Sequence, residues 1–176
     1  MSVKITVKDE DCDIETSKFF GEILLPEKWL EDDVFSPEEL YFCQINLSEV
    51  YDAVGKTTLP EEGMLYFFID YASKKPKAVV RYYDGEPDAY TMFNEDWEGD
   101  YDVYTEWPMS FSLSDEGTAL LVKDEKLPDD EIVLLRYVPD SSEVDYLTGS
   151  DKTLNFVIKK EELKNRDFSG VKLLFT

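Results

Sequence analysis

Apolar and polar residues alternate along Val3-Lys-Ile-Thr-Val7, and short apolar runs of the same kind return at intervals down the chain. β-branched and aromatic side chains dominate these runs, a composition that suits half-buried, pleated strands. Strands are predicted at 2–8, 40–47, 64–70, 77–83, 109–113, 119–122, 132–138, 153–159 and 171–175. Turn chemistry separates them: Leu-Pro-Glu-Glu-Gly at 59–63, Asp-Gly at 84–85, Asp-Glu-Gly at 115–117 and Leu-Pro-Asp-Asp at 127–130. In the second segment a period of two places Tyr41, Cys43, Ile45 and Leu47 on one face. Helical signal is modest. Residues 26–32 fit one or two turns with Trp29 and Leu30 inward, Ser36-Pro37 resembles a helix start, and 160–165 fits one short helix. The pattern predicts a mainly β (α+β) fold with mostly antiparallel sheets and a few short helices.

A faint internal echo refines this. Phe42-Cys-Gln-Ile45 precedes Leu65-Tyr-Phe-Phe-Ile69, as Leu134-Leu-Arg-Tyr137 precedes Leu154-Asn-Phe-Val-Ile158. It reads either as two similar packed β lobes or as a coincidence that any β protein offers. On the first reading, 1–176 is a single domain with pseudo-repeat halves 1–83 and 108–176, joined by an acidic, aromatic-rich segment at 84–107.

Composition mostly excludes. With 43% hydrophobic residues the 176-residue chain can fill a core, so wholesale disorder is not expected. Forty acidic against eighteen basic residues give a formal charge of −22, a field that repels a phosphate backbone and argues against nucleic-acid binding. The chain has no histidine, which removes Ser-His and Cys-His nucleophiles and histidine metal sites. No two of its eight glycines stand closer than eight residues, so no Gly-rich phosphate loop can be written. No apolar run matches a signal peptide or membrane helix, which leads to the expectation of a soluble, cytoplasmic protein without membrane contact. Carboxylates around Cys12 should raise its thiol pKa, and Cys43 reads as a buried structural residue.

Several segments together resemble the YwqG family, a bacterial family of unknown function. They are Phe20-Gly21 with Leu25-Pro26, the run Tyr41-Phe-Cys-Gln-Ile-Asn-Leu-Ser-Glu49, and Leu59-Pro-Glu-Glu-Gly-Met-Leu-Tyr-Phe-Phe-Ile-Asp70. Val79-Val-Arg-Tyr-Tyr83, Leu154-Asn-Phe-Val-Ile-Lys-Lys-Glu-Glu-Leu163 and Arg166-Asp-Phe-Ser169 complete the likeness. The chain departs where the family has paired glycines, here Phe20-Gly21-Glu22, and where it has a Gly-Asp-x-Gly turn, here Gly149-Ser-Asp-Lys-Thr153. The resemblance implies a β-rich fold of two similar halves, with no established reaction. Some members are thought to lie near bacterial toxin systems, so it also implies an immunity or interaction role.

The most unusual stretch is 82–107. It holds eight aromatics and nine acids and no base. Tyr and Trp are stiff and amphipathic, which makes Tyr90, Trp97, Tyr101 and Trp107 candidate interface anchors. Asp96, Glu98, Asp100 and Asp102 would supply a field that steers a basic partner. The competing reading makes the same aromatics packed core residues behind a solvated acidic edge. Asn94-x-Asp96-x-Glu98-Gly99 nearly writes a calcium loop, but Thr105 stands where the bidentate Glu is required and Pro108 blocks the exit helix. Weak calcium binding in another geometry stays open, and no metal or cofactor is assigned.

Two functions follow. One is a non-enzymatic binding module for a basic protein partner, toxin-immunity-like in its sharpest version. The other is a small-molecule enzyme or sensor using carboxylates in a cleft between two β lobes, with Asp70 or Asp84 in its wall or else merely ending a strand.

Overall fold

The computed structural model describes residues 1–8, 10–98, 103–139 and 152–176. The described residues are mostly β, with three short helices. Its strands are β1 (Val3–Val7), β2 (Lys18–Phe19), β3 (Ile23–Leu25), β4 (Glu39–Asn46), β5 (Met64–Asp70) and β6 (Lys77–Tyr83). There follow β7 (Ala89–Thr91), β8 (Trp107–Leu113), β9 (Ala119–Val122), β10 (Glu131–Tyr137), β11 (Leu154–Lys159) and β12 (Lys172–Phe175). The helices are α1 (Glu27–Glu31), α2 (Leu47–Val54) and α3 (Lys160–Lys164).

Ten strands form one antiparallel sheet in the order β12-β11-β10-β9-β1-β8-β2-β4-β5-β6, and β3 pairs with β7 in a separate ribbon. The large sheet is nearly barrel-shaped, and its end strands β6 and β12 lie close to each other. The echoed segments are the antiparallel neighbours β4–β5 and β10–β11. They occupy corresponding places in the runs β2-β4-β5-β6 and β9-β10-β11-β12, which flank the central pair β1–β8.

The curved sheet closes around an aromatic nucleus. Phe42 of β4 stacks on Phe156 of β11 at 6.1 Å between ring centroids, and Phe67 of β5 meets Phe156 edge-on at 5.1 Å. Tyr137 of β10 packs edge-on against Phe42 at 5.5 Å and Phe19 at 6.0 Å. Each such pair adds roughly 0.5–1.5 kcal/mol beyond its buried area.

A bulge in each run feeds this nucleus. The β4–β5 register shifts between Tyr41 and Cys43, and the β10–β11 register shifts between Val133 and Leu135. An extra residue in one strand bends it and resets the side-chain alternation. Phe42 and Cys43 therefore both face the inner core, as do Leu134 and Leu135, while Tyr41 and Val133 face outward. This corrects the expected shared face of Tyr41, Cys43, Ile45 and Leu47: Tyr41 is outside, and Leu47 already belongs to α2.

Three further differences have local causes. The helix α2 was not expected, yet Leu47, Val50 and Val54 repeat at helical spacing and pack on the inner core. The Asn46 side chain caps it by accepting from Ser48 N–H, and Gly55 ends it at φ 80°. Leu30 is exposed rather than inward, because α1 turns only Trp29 onto the sheet. Ser36 accepts from Glu38 N–H, but the turn lasts one residue more before Glu39 enters β4.

Candidate functional site

The β3–β7 ribbon lies over the outer face of β4 and β5. Ile23 and Leu25 point down into a cluster with Tyr41, Met64, Tyr66 and Phe68, joined by Trp29, Phe35 and Phe93. Side chains of the sheet pin the ribbon from below. The Gln44 amide oxygen accepts from Leu24 N–H at 3.0 Å, and Tyr66 O–H donates to the Leu24 carbonyl at 2.7 Å. The Gln44 amide nitrogen also donates to the carbonyls of Ile14 and Thr16. Both backbone groups of Leu24 are thereby matched, which offsets the cost of burying Gln44 and Tyr66.

Alternation then sends Tyr90 outward, opposite Leu24. Tyr90 is 65% exposed, an unusual position for so large a ring. Asp88 accepts from Glu27 N–H at 2.8 Å, and Glu86 and Asp88 are exposed beside the ribbon. The chain next turns through Asn94, whose buried side chain accepts from Tyr41 N–H and donates to the Tyr41 carbonyl, both at 2.9 Å. Asn94 thus supplies backbone-like pairing beside the β4 bulge, and it is spoken for as a metal ligand. Asp96 and Glu98 follow in the exposed turn, while Trp97 is half-buried with its ring 5.6 Å from Tyr71.

Trp107 lies in β8, paired with Phe19 and packed on the inner core. Asp100, Tyr101 and Asp102 lie outside the described residues. Of the described anchors, therefore, only Tyr90 stands clear of the surface, and Asp96 and Glu98 are the exposed carboxylates of the set. Among the described residues no cluster of three or more Cys, Asp or Glu could hold a metal ion. No helix among them is long and apolar enough to cross a membrane.

A polar pair at the ribbon's base was missed. Lys18 is 1% exposed in β2, and its ammonium is ion-paired with Glu106. Gly21 makes room for that carboxylate: a side chain there would collide with Glu106, and its φ of 74° is open to glycine at little cost. Phe20 precedes it at φ 53°, a strained value for a bulky residue, and is held by a bond from its N–H to the Phe42 carbonyl. Partial burial and the nearby Glu106 raise the Cys12 thiol pKa, against a lowering by Lys18. Complete burial pushes the Cys43 thiol well up. Neither thiol is a poised nucleophile. A lone Lys in a two-residue strand carries no signal in sequence that it will be buried.

A groove of adjoining pockets runs along the loop before β5. At one end α3 and the loop before β5 enclose about 430 Å³ lined by Leu59, Pro60, Ile132 and Leu163 with Lys160, Lys164 and Arg166. It continues past Arg166, Tyr82 and Asp84, and reaches a space of about 520 Å³ lined by Glu15, Glu62, Asp84 and Glu86 under Leu24. Asp84 lines the second and third of these spaces. Asp70 instead accepts from Ala72 N–H at 2.9 Å and turns the chain out of β5.

The fold and this surface define a nearly closed antiparallel β barrel with an externally roofed half and an acidic ribbon. No known protein family and no characterised protein matches the chain.

Proposed function

We propose that the chain is a non-enzymatic binding module that recognises a basic protein partner through the ribbon and the turn behind it. The observation that carries this reading is Tyr90, presented on a pinned ribbon beside the exposed carboxylates Glu86, Asp88, Asp96 and Glu98. A rigid aromatic anchor loses little entropy on docking, and a surrounding carboxylate field speeds the encounter with a cation. The acidic end of the groove, with four carboxylates and no lining cation, extends the same field. A toxin whose active surface is basic has the required chemistry, which makes an immunity-type inhibitor the sharpest form of the proposal.

Capture from a lysate of the source organism tests it. Tagged protein should retain one basic protein in stoichiometric amount and release it as salt rises. With that partner in hand, the double substitution Asp96→Asn and Glu98→Gln should slow association more than it speeds dissociation. A bait that stays empty at both salt levels contradicts the reading, as do equal effects on the two rates.

A further inference from the structure

The cationic end of the groove has the opposite chemistry. In α3, Lys160, Leu163 and Lys164 share one face by their spacing and line the 430 Å³ pocket, with Arg166 just beyond the helix. The two acids of the helix are turned away: neither Glu161 nor Glu162 lines the pocket, and the Glu162 carboxylate lies against Gly170. The pocket therefore presents three cations and no carboxylate, in a chain of net charge −22. Like charges at Lys160 and Lys164 disfavour the helix slightly, while Lys164 in its last turn favours the C-terminus.

The cations are held, but they are not neutralised. Lys160 donates one proton to the Asp129 carbonyl at 2.7 Å, leaving its charge in place. Arg166 sits at φ 56° with its guanidinium 5.9 Å from the centre of the Tyr82 ring, which itself packs on Phe168. Neither Lys164 nor Arg166 has an ion-pair partner among the described residues. Beneath them the floor is apolar: Leu59 and Leu163 are buried and Ile132 is half-buried. The volume falls within the roughly 300–1,000 Å³ of small-molecule sites.

We infer that this pocket binds a small amphipathic anion, an alkyl or aryl carboxylate, with its apolar body on Leu59, Pro60, Ile132 and Leu163. The carboxylate would lie between Lys160, Lys164 and Arg166. Charge complementarity selects this occupant. The long-range field of the chain attracts cations, so an anion can prefer the molecule only where local positive charge outweighs that field. A planar guanidinium also matches a carboxylate with two parallel hydrogen bonds. The inference is independent of the acidic ribbon, and either can fail without the other.

Octanoate and octylamine share a chain and differ in the sign of the head group, and together they decide the matter below their aggregation concentrations. Octanoate should shift the backbone amide resonances of 58–60, 132 and 160–166 saturably, and octylamine should leave them in place. Lys164→Gln with Arg166→Gln, both at exposed positions, should weaken octanoate roughly tenfold by removing two charged donors, with the melting temperature unchanged. Equal binding of the two probes would overturn the inference. So would shifts centred elsewhere, a variant that binds octanoate like the parent, or no saturable shift at all.

Discussion

The outer faces of the two strand runs are built from different materials. Over β4–β5–β6 the face is aromatic: Tyr41, Tyr66 and Phe68 meet Trp29, Phe35, Tyr83 and Phe93 beneath the ribbon and α1. Over β9–β12 the described outer cluster is Ala119, Val122, Val133 and Val157, with Leu127 and Leu174 at its margin. The inner faces share one core, so burial inside the barrel does not explain the contrast. Strands β4 and β5 are buried along almost their whole length, and β11 is buried from Leu154 to Ile158 as well, so the two faces differ in the size of their side chains rather than in burial. Gln44 and Tyr66 hold the ribbon at Leu24, Ile23 and Leu25 pack beneath it, and alternation along β7 turns Tyr90 outward.

The sharpest break in that comparison is a cavity on each face. Phe68→Ala should cost about 3–5 kcal/mol, because its ring contacts Phe35, Tyr41 and Phe93, whereas Val157→Ala should cost about 2 kcal/mol. Urea unfolding of the two variants measures the difference directly, and equal losses would remove the argument for a structural roof.

Buried charge comes next. Lys18→Met leaves Glu106 without its buried partner and should cost about 3 kcal/mol, and Lys18→Met with Glu106→Leu should recover much of that loss. Additive losses in the double variant would show that the pair is not coupled.

Two outer-face arginines sharpen the contrast further. Arg81 binds both carboxylate oxygens of Glu39, at 2.7 and 3.2 Å, and lies over the rings of Phe35 and Phe68. The Glu39 side chain is 2% exposed. Arg136 donates to Asp124 at 2.7 Å and to Asn155 at 2.8 Å, in a pair with both side chains 23% exposed. Arg81→Ala should therefore cost about 3 kcal/mol and Arg136→Ala about 1 kcal/mol.

Acid separates the same pair from the rest of the molecule. The Lys126 N–H and then Arg136 hold the Asp124 carboxyl below its ordinary value. A depressed folded pKa contributes stability above the unfolded pKa, and that contribution fades as pH falls through the folded value. Asp124→Asn should thus destabilise the chain slightly at neutral pH, by less than about 1 kcal/mol after solvent screening, and have no effect well below pH 3. Melting curves of parent and variant from neutral to acid pH would converge. The smallest effect is expected at Tyr90→Ala, which should leave the melting temperature unchanged while weakening capture of the basic partner.

Much of this fold can be read from particular residues. The β-branched and aromatic runs mark the long strands, and they become β1, β4–β6 and β8–β12 because their apolar periods match one or two buried faces. The short strands β2, β3 and β7 are set by partners: Lys18 pairs with Gln44, and Leu24 is held by Gln44 and Tyr66, none of which neighbours it in sequence. Trp107-Pro108 opens β8 although proline lacks a donor, since the Pro108 carbonyl accepts from Lys8 N–H where β8 passes from β1 to β2. Tyr90 and the exposed acids were legible as an acidic aromatic stretch, but composition does not say which ring points out. Alternation along β7 decides for Tyr90, and contact with Tyr71 decides for Trp97. The pocket sets the cations of α3 and Arg166 beside Leu59 and Pro60, in a loop a hundred residues away in sequence, a juxtaposition that only the closed sheet creates.

Hydrogen exchange on the complex with the captured basic partner tests the binding claim most directly, because it reads both outer faces at once. The account predicts new amide protection confined to the β3–β7 ribbon and the turn through Asp96 and Glu98, with β9–β12 unchanged. Protection centred on β9–β12, with the ribbon exchanging as it does in the free chain, would contradict it.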